Sequence, residues 1–210
     1  MARCAVRVVS AYLSAEVRIN PYQNIITFEE GVTDKNIFDF FEKDFKLDIV
    51  IDACDYFPVK IAIRRLAIKR KIPVLMTTDL GEGVLIDLER YDKKKIEPFG
   101  GRLKNISPND DFLASAIKLI SPDFFSIALT NSISQIGQTA PTHPQIGSTV
   151  YTSGAIAAYI IRNIANNKNI TDERILIDFD QHLNLEIKTD KYKIDNQKMI
   201  KKLKKIIGEL

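Results

Sequence analysis

The densest chemistry in this chain lies in one run, Asp48-Ile49-Val50-Ile51-Asp52-Ala53-Cys54-Asp55. Its continuous apolar centre reads as a strand buried on both faces, the pattern of a parallel sheet. A carboxylate directly after such a strand enters the crevice at its carboxyl end, where open α/β sheets bind ligands. Asp55 is therefore a candidate Mg2+ ligand, because Mg2+ takes one or two carboxylates and completes its shell with phosphate oxygens and water. The same residue also suits a cap for a helix beginning near Pro58. On the residues alone both readings stand. Asp52, inside the strand, is expected to pair with a local donor. Cys54 has no flanking cation and reads as buried packing, not as a thiolate nucleophile. Thr77, Thr78 and Asp79 end the next strand beside the same crevice, as ligand contacts or as polar strand-end packing.

Other chemistries lack their motifs. The nine glycines never fall as GxGxxG, and no GxxxxGK[ST] occurs. Gly81-Glu82-Gly83 lies between two strands, not between a strand and a helix, so it does not present helix N-terminal amides to a pyrophosphate. There is no serine elbow and no HExxH. His143 and His182 have no second ligand at metal spacing, and His143 reads as a surface loop residue. The two cysteines, Cys4 and Cys54, cannot build a four-thiolate zinc clamp, so no zinc is expected, and they fit a reduced, cytoplasmic protein.

The elements that position these residues alternate along the chain. The spacing of Cys4, Val8, Ala11, Tyr12 and Ala15 predicts a helix over 2–18, broken at Asn20-Pro21. A strand over 24–28, a helix over 36–45 and the strand over 47–53 follow. Residues 59–70 read as a helix burying Ile63, Leu66 and Ala67 and exposing Arg64, Arg65, Lys69 and Arg70. Strands over 73–76 and 83–88 then imply a mainly parallel, Rossmann-like α/β sheet flanked by helices. Beyond a surface loop holding Lys93–Lys95 and Gly100-Gly101, helices are expected near 111–120 and 149–164. Residues 174–179 and 183–188 suggest a late antiparallel hairpin. The division expected is an α/β domain over 1–190 and a basic amphipathic helix over 191–210.

Composition bounds the rest. Hydrophobic residues at 45% and charged residues at 27% of 210 mark a globular chain. The apolar runs are too short for a membrane span. Of the net charge of +3, a local +5 belongs to 191–210, which leaves −2 on the body. That tail has lysines without aromatic or arginine readers, which argues against a nucleic-acid partner. Its apolar residues recur at helical spacing, so a docked final helix with a solvated lysine face is expected.

Several of these residues occur in an order that resembles the ThiF/MoeB superfamily, the ubiquitin-activating-enzyme-like adenylyltransferases. Ile19-Asn20-Pro21, Asp52-Ala53-Cys54-Asp55, Lys60 and Ile72-Pro73-Val74 are similar to its "INP", "D-A-x-D-N", following basic residue and "IPV". Met76-Thr77-Thr78-Asp79 with Asp87-Leu88-Glu89-Arg90-Tyr91-Asp92 resembles a bacterial branch reading "M-x-T-x-D-x-G" and "D-x-E-R-[FY]-D". Pro144–Gly147, Ala155–Ile164 and Arg174–Asp178 resemble the family's late helix and closing strand. The likeness covers about residues 5–185.

The resemblance implies ATP-dependent activation of a carboxylate, usually the C-terminus of a ubiquitin-like or sulfur-carrier protein, as an acyl-adenylate. It makes Asp55 the catalytic Mg2+–ATP ligand and Lys60 a support for the phosphate side, and Thr78 and Asp79, from their place at the neighbouring strand end, join them as candidate nucleotide contacts. Tyr56 stands where the family has Asn, and Lys60 where it has Arg, which keeps the charge without the bidentate fork. The family's glycine loop would precede residue 1, and Val8, beside Arg7, occupies the place of its catalytic lysine. The chain is thus expected to be incomplete alone, and to form a homo-oligomer or join a complementary chain. The alternative is a non-catalytic partner subunit that binds a carrier protein or dimerises. A nicotinamide-type oxidoreductase lacks its fingerprint here.

Overall fold

The computed structural model describes residues 5–8, 24–43, 46–106, 110–141 and 145–208. A four-stranded sheet runs in the order β3 (Val50–Ile51), β4 (Val74–Leu80), β5 (Gly83–Glu89), β6 (Ile175–Asp178). A separate parallel pair joins β1 (Ala5–Val8) to β2 (Asn24–Thr27). The helices are α1 (Ile37–Glu42), α2 (Phe57–Arg70), α3 (Phe112–Ile120), α4 (Ile127–Ser134), α5 (Gly147–Ala165), α6 (Phe179–Leu183) and α7 (Asp190–Ile206). The chain is an α/β protein with a mixed sheet flanked by helices. Among the described residues no helix is long and apolar enough to cross a membrane.

The mixed character corrects the expectation of a mainly parallel sheet. β3 and β4 are parallel, with helix α2 as their crossover. Only Gly81 and Glu82 separate the paired residues Leu80 and Gly83, and a two-residue connection makes an antiparallel hairpin. Gly81 carries φ +64°, a left-handed turn conformation that glycine adopts freely. β6 then adds to β5, also antiparallel.

Two further expectations fail, and one helix was not anticipated. Residues 5–8 are a strand and not helix: their valines are β-branched, and pairing with Asn24–Thr27 outweighs a helical spacing. The rest of the 2–18 stretch lies outside the described residues. The second half of the late hairpin is instead α6 and a short 3-10 turn over Glu186–Lys188. The Asp178 carboxylate takes the amides of Asp180 and Gln181, so it starts a helix where a hairpin turn was expected. Helix α4 was not anticipated; Ser126 caps it by accepting from the Leu129 amide at 3.1 Å.

Strand alternation divides the core. Val84, Ile86, Leu88 and Leu75 face Ala157 and Ile160 of α5. Leu80 and Leu85 face the other way, packing with Ile117, Phe125, Leu129, Leu203 and Ile207. Leu203 and Ile207 thereby dock the final helix. Val50 and Val74 pack with α1 and α2 through Phe41, Ile63, Leu66 and Ala67. By the same alternation Asp87 and Glu89 share the Leu85 face of β5, although all seven residues of that strand are buried. Two carboxylates so placed require cationic partners.

Candidate functional site

A cleft of about 450 Å³ opens at the carboxyl ends of β3 and β4. Its polar wall carries Asp52, Asp55, Lys60, Thr77, Thr78 and Asp79, and helices α3 and α5 form the facing walls. Its size falls in the range of about 300–1,000 Å³ typical of small-molecule sites. The parallel β3–β4 pair thus places its strand ends where open α/β sheets take ligands.

Asp55 is exposed at this mouth. The expected alternative, a cap on α2, is not made: the residue at the cap position is Tyr56, and no side chain bonds there. Thr78 and Asp79 sit on opposite faces of β4 and line the same cleft. Asp79 Oδ1 accepts the Ser153 hydroxyl at 2.7 Å, tying α5 to the end of β4. Next to that bond on α5, Gly154 has no neighbour within 4 Å of where a Cβ would stand, so the cleft is open beside it. Lys60, one turn into α2, donates to Asp52 Oδ1 at 3.0 Å and approaches the Met76 sulfur at 3.5 Å.

Arg64 lies one turn further along α2, and its burial corrects the expectation that it faces solvent. It is fully buried. Nη1 donates to Asp52 Oδ2 and Nε to Glu89 Oε2, both at 2.5 Å. The guanidinium stacks 3.6 Å above the Phe99 ring. Glu89 Oε1 accepts the Tyr91 hydroxyl and the Phe99 amide, each at 2.6 Å. Phe99 has a left-handed backbone, φ 54°, inside the 3-10 turns over Pro98–Asn105, so the expected surface loop is anchored at its centre. The misplacement has a physical source. Positions 60, 64 and 67 share one helix face, but the carboxylates that neutralise Arg64 come from the residue just after β3 and from β5, and residue type alone suggested exposure.

Burial raises the Asp52 pKa, but the charges of Arg64 and Lys60 and their hydrogen bonds outweigh it and hold the carboxyl below its ordinary value. Burial and the Asp52 carboxylate push the Cys54 thiol up to about 11. Its Sγ lies 3.3 Å from Asp52 Oδ1, so this is a neutral packing thiol.

Asp87, Arg102 and Arg174 form a second knot beside the first. Asp87 accepts from Arg102 Nη2 at 2.7 Å and from Arg174 Nε and Nη2 at 2.7 and 2.6 Å. Arg174 Nη1 also donates to the carbonyls of Leu119 and Ile120 at the end of α3. The run Asp87–Asp92 is therefore framework: Asp87 and Glu89 hold arginines, and Arg90 pairs with Asp92 at 2.7 Å.

Residues 7–108 match the family model described as the ThiF family. That stretch of the chain is of the ThiF family. The matched span contains all four candidate ligands, Asp55, Lys60, Thr78 and Asp79, together with Arg64 and Glu89. The uncharacterised protein MT1398 of Mycobacterium tuberculosis (strain CDC 1551 / Oshkosh) is 27% identical over 169 residues, covering 76% of this chain. This chain spans 23% of the length of that relative. In fold it resembles the crystal structure of selenomethionine PaaA, with a TM-score of 0.51 at 14% identity over 81% of this chain and 51% of that one.

His143 and the side chains of Arg7 and Val8 lie outside the described residues. His182 is exposed on α6 and lines no part of the cleft. Among the described residues no three His, Cys, Asp or Glu side chains are grouped to hold a metal. Asp55 and Asp79 both line the cleft, and a Mg2+ ion that arrives with a polyphosphate needs few protein ligands. Sequence reasoning missed Arg64, Glu89 and Ser153. Only the spacing of Ser153 and Ala157 on the apolar face of α5 hinted at the last.

Proposed function

We propose that the cleft binds Mg2+–ATP and that the chain serves ThiF-type adenylation of a carboxylate, the C-terminus of a ubiquitin-like or sulfur-carrier protein. The carrying observation is the convergence of Asp55, Thr78, Asp79 and Lys60 on one cleft within the ThiF-matched span. In that reaction a carboxylate oxygen attacks the α-phosphorus and pyrophosphate leaves. The chain's own residues supply position and charge. Asp55 and Asp79 would hold the ion, Thr78 offers a hydroxyl, and Lys60 supports the phosphate side. Bound Mg2+ would supply charge neutralisation on the phosphates.

Charge makes the ion obligatory in this reading. Among the described residues that line the cleft Lys60 is the only cation, and it is already engaged by Asp52, while Asp55 and Asp79 have no cationic partner in the ion pairs of the described residues. A bare triphosphate would meet repulsion there. Calorimetric titration of ATP into the 210-residue chain, with and without Mg2+, tests this. Binding should require Mg2+ and weaken at least about tenfold in Asp55→Asn. Equal affinity in the variant, or without the ion, overturns the assignment. No binding by the parent chain favours the non-catalytic, carrier-binding reading instead.

A further inference from the structure

The two arginine–carboxylate contacts behind the cleft do more than fill the core. We propose that Arg64 and Glu89 are positioning residues that set how firmly Asp52 holds the Lys60 ammonium, and so how available Lys60 is to an anion in the cleft. This rests on the nucleotide reading only for the identity of that anion. The network itself stands on geometry.

Four charges form a closed set: Asp52 and Glu89 against Lys60 and Arg64. Asp52 divides its two oxygens. Oδ2 takes Arg64, and Oδ1 takes Lys60 together with the Cys54 amide and thiol. Arg64 divides its guanidinium in turn between Asp52 and Glu89. Phe99 on its face and the Lys60 carbonyl at 3.2 Å fix its plane. No water reaches either Arg64 or the Asp52 side chain, so solvent does not screen a change at one end. The groups that face Lys60 are Asp52 and Cys54 at the strand end, Met76 on β4 and Arg64 on its own helix, with Glu89 behind Arg64. Whatever strengthens Arg64's hold on Asp52 loosens Lys60, and whatever weakens it tightens Lys60.

That logic predicts opposite effects from two losses in the same cluster. Neutralising Glu89 turns all of Arg64 toward Asp52 and leaves one positive charge in excess, so Asp52 holds the Lys60 ammonium less firmly. Neutralising Arg64 leaves one negative charge in excess, so Asp52 holds it more firmly.

The test is the rate of acylation of Lys60 by acetic anhydride in the ligand-free chain, read by peptide mass spectrometry against the exposed Lys69. Glu89→Gln should speed Lys60 about threefold or more, and Arg64→Met should slow it by a similar factor. The double variant Arg64→Met/Glu89→Gln restores the charge balance and should return to within about twofold of the parent. Arg64→Lys, which keeps the charge without the fork, should fall between Arg64→Met and the parent. Both single variants moving in one direction would reduce the network to general packing and overturn the proposal, as would a double variant further from the parent than either single. Mg2+–ATP titrations on the same proteins separate the two readings. Opposite acylation shifts without nucleotide binding keep the network and remove the nucleotide. Nucleotide binding without opposite shifts does the reverse.

Discussion

Replacing Asp87 with Asn should cost the chain a large part of its stability. Asp87 is 4% exposed and is the one acceptor shared by Arg102 and Arg174. Through them it joins β5, the 3-10 turns over 98–105, the end of α3 and the approach to β6. Asn removes the negative charge and can turn an amide donor toward a guanidinium. Taking one partner from a buried pair costs about 3–5 kcal/mol. Arg102 and Arg174 keep 23% and 13% of their side-chain exposure, so water offsets part of the loss and the lower end, about 3 kcal/mol, applies. With a urea slope of about 3 kcal/mol per molar, the midpoint should fall by about 1 M while the chain stays folded in water. Equilibrium urea unfolding followed by circular dichroism reads that shift. A second arm, Arg174→Met with and without Asp87→Asn, should show that the two losses are not additive. A midpoint lowered by less than about 0.3 M would refute the reasoning, because the pair would then behave as a solvated surface bridge.

Other predictions follow from the same geometry. Because the folded Asp52 carboxyl sits below its unfolded value, its contribution is fully present above about pH 4 and is lost as the pH falls through the folded pKa. Urea midpoints between pH 6 and pH 2 should show that loss, and Asp52→Asn should flatten it. Cys54, with its thiol pushed up to about 11, should resist iodoacetamide at pH 8 and react only after unfolding, as peptide mapping would show. Gly154→Ala adds a Cβ in open space in mid-helix and should stabilise by about 0.5–1 kcal/mol in the same urea assay. Gly154→Phe should instead fill the cleft, leaving the melting temperature near the parent's while nucleotide titration weakens. Ser153→Ala frees Asp79 and should cost about 1 kcal/mol.

Much of this fold was legible because local signals and tertiary packing agree. The apolar run before Asp52, Pro58 in the first turn of α2 and the Ile72-Pro73 exit mark the β3–α2–β4 unit in the sequence, and it forms. Asp111 caps α3 by accepting from the Ala114 amide, as an Asp before an apolar run should. What was hidden depends on partners distant in the chain. Strand β1 owes its conformation to β2, Arg64 its burial to Glu89 twenty-five residues away, and Asp79 its bond to Ser153 seventy-four residues away. Composition cannot announce such partners. The cleft was legible from Asp55 and Thr77–Asp79, while the charges behind it were not.

Strand β5 carries a last consequence, for the accuracy of assembly. Apolar residues and carboxylates alternate along it, Leu88 toward α5 and Asp87 and Glu89 toward the arginines. Sliding the strand by one residue against β4 would bring both carboxylates onto the oily α5 face and push Leu88 among guanidinium groups. A purely aliphatic strand would tolerate such a slip far better. The two acids work as a pair of keys, accepting one alignment of the hairpin and rejecting its nearest neighbours, and the cleft at the end of β4 inherits its shape from that alignment.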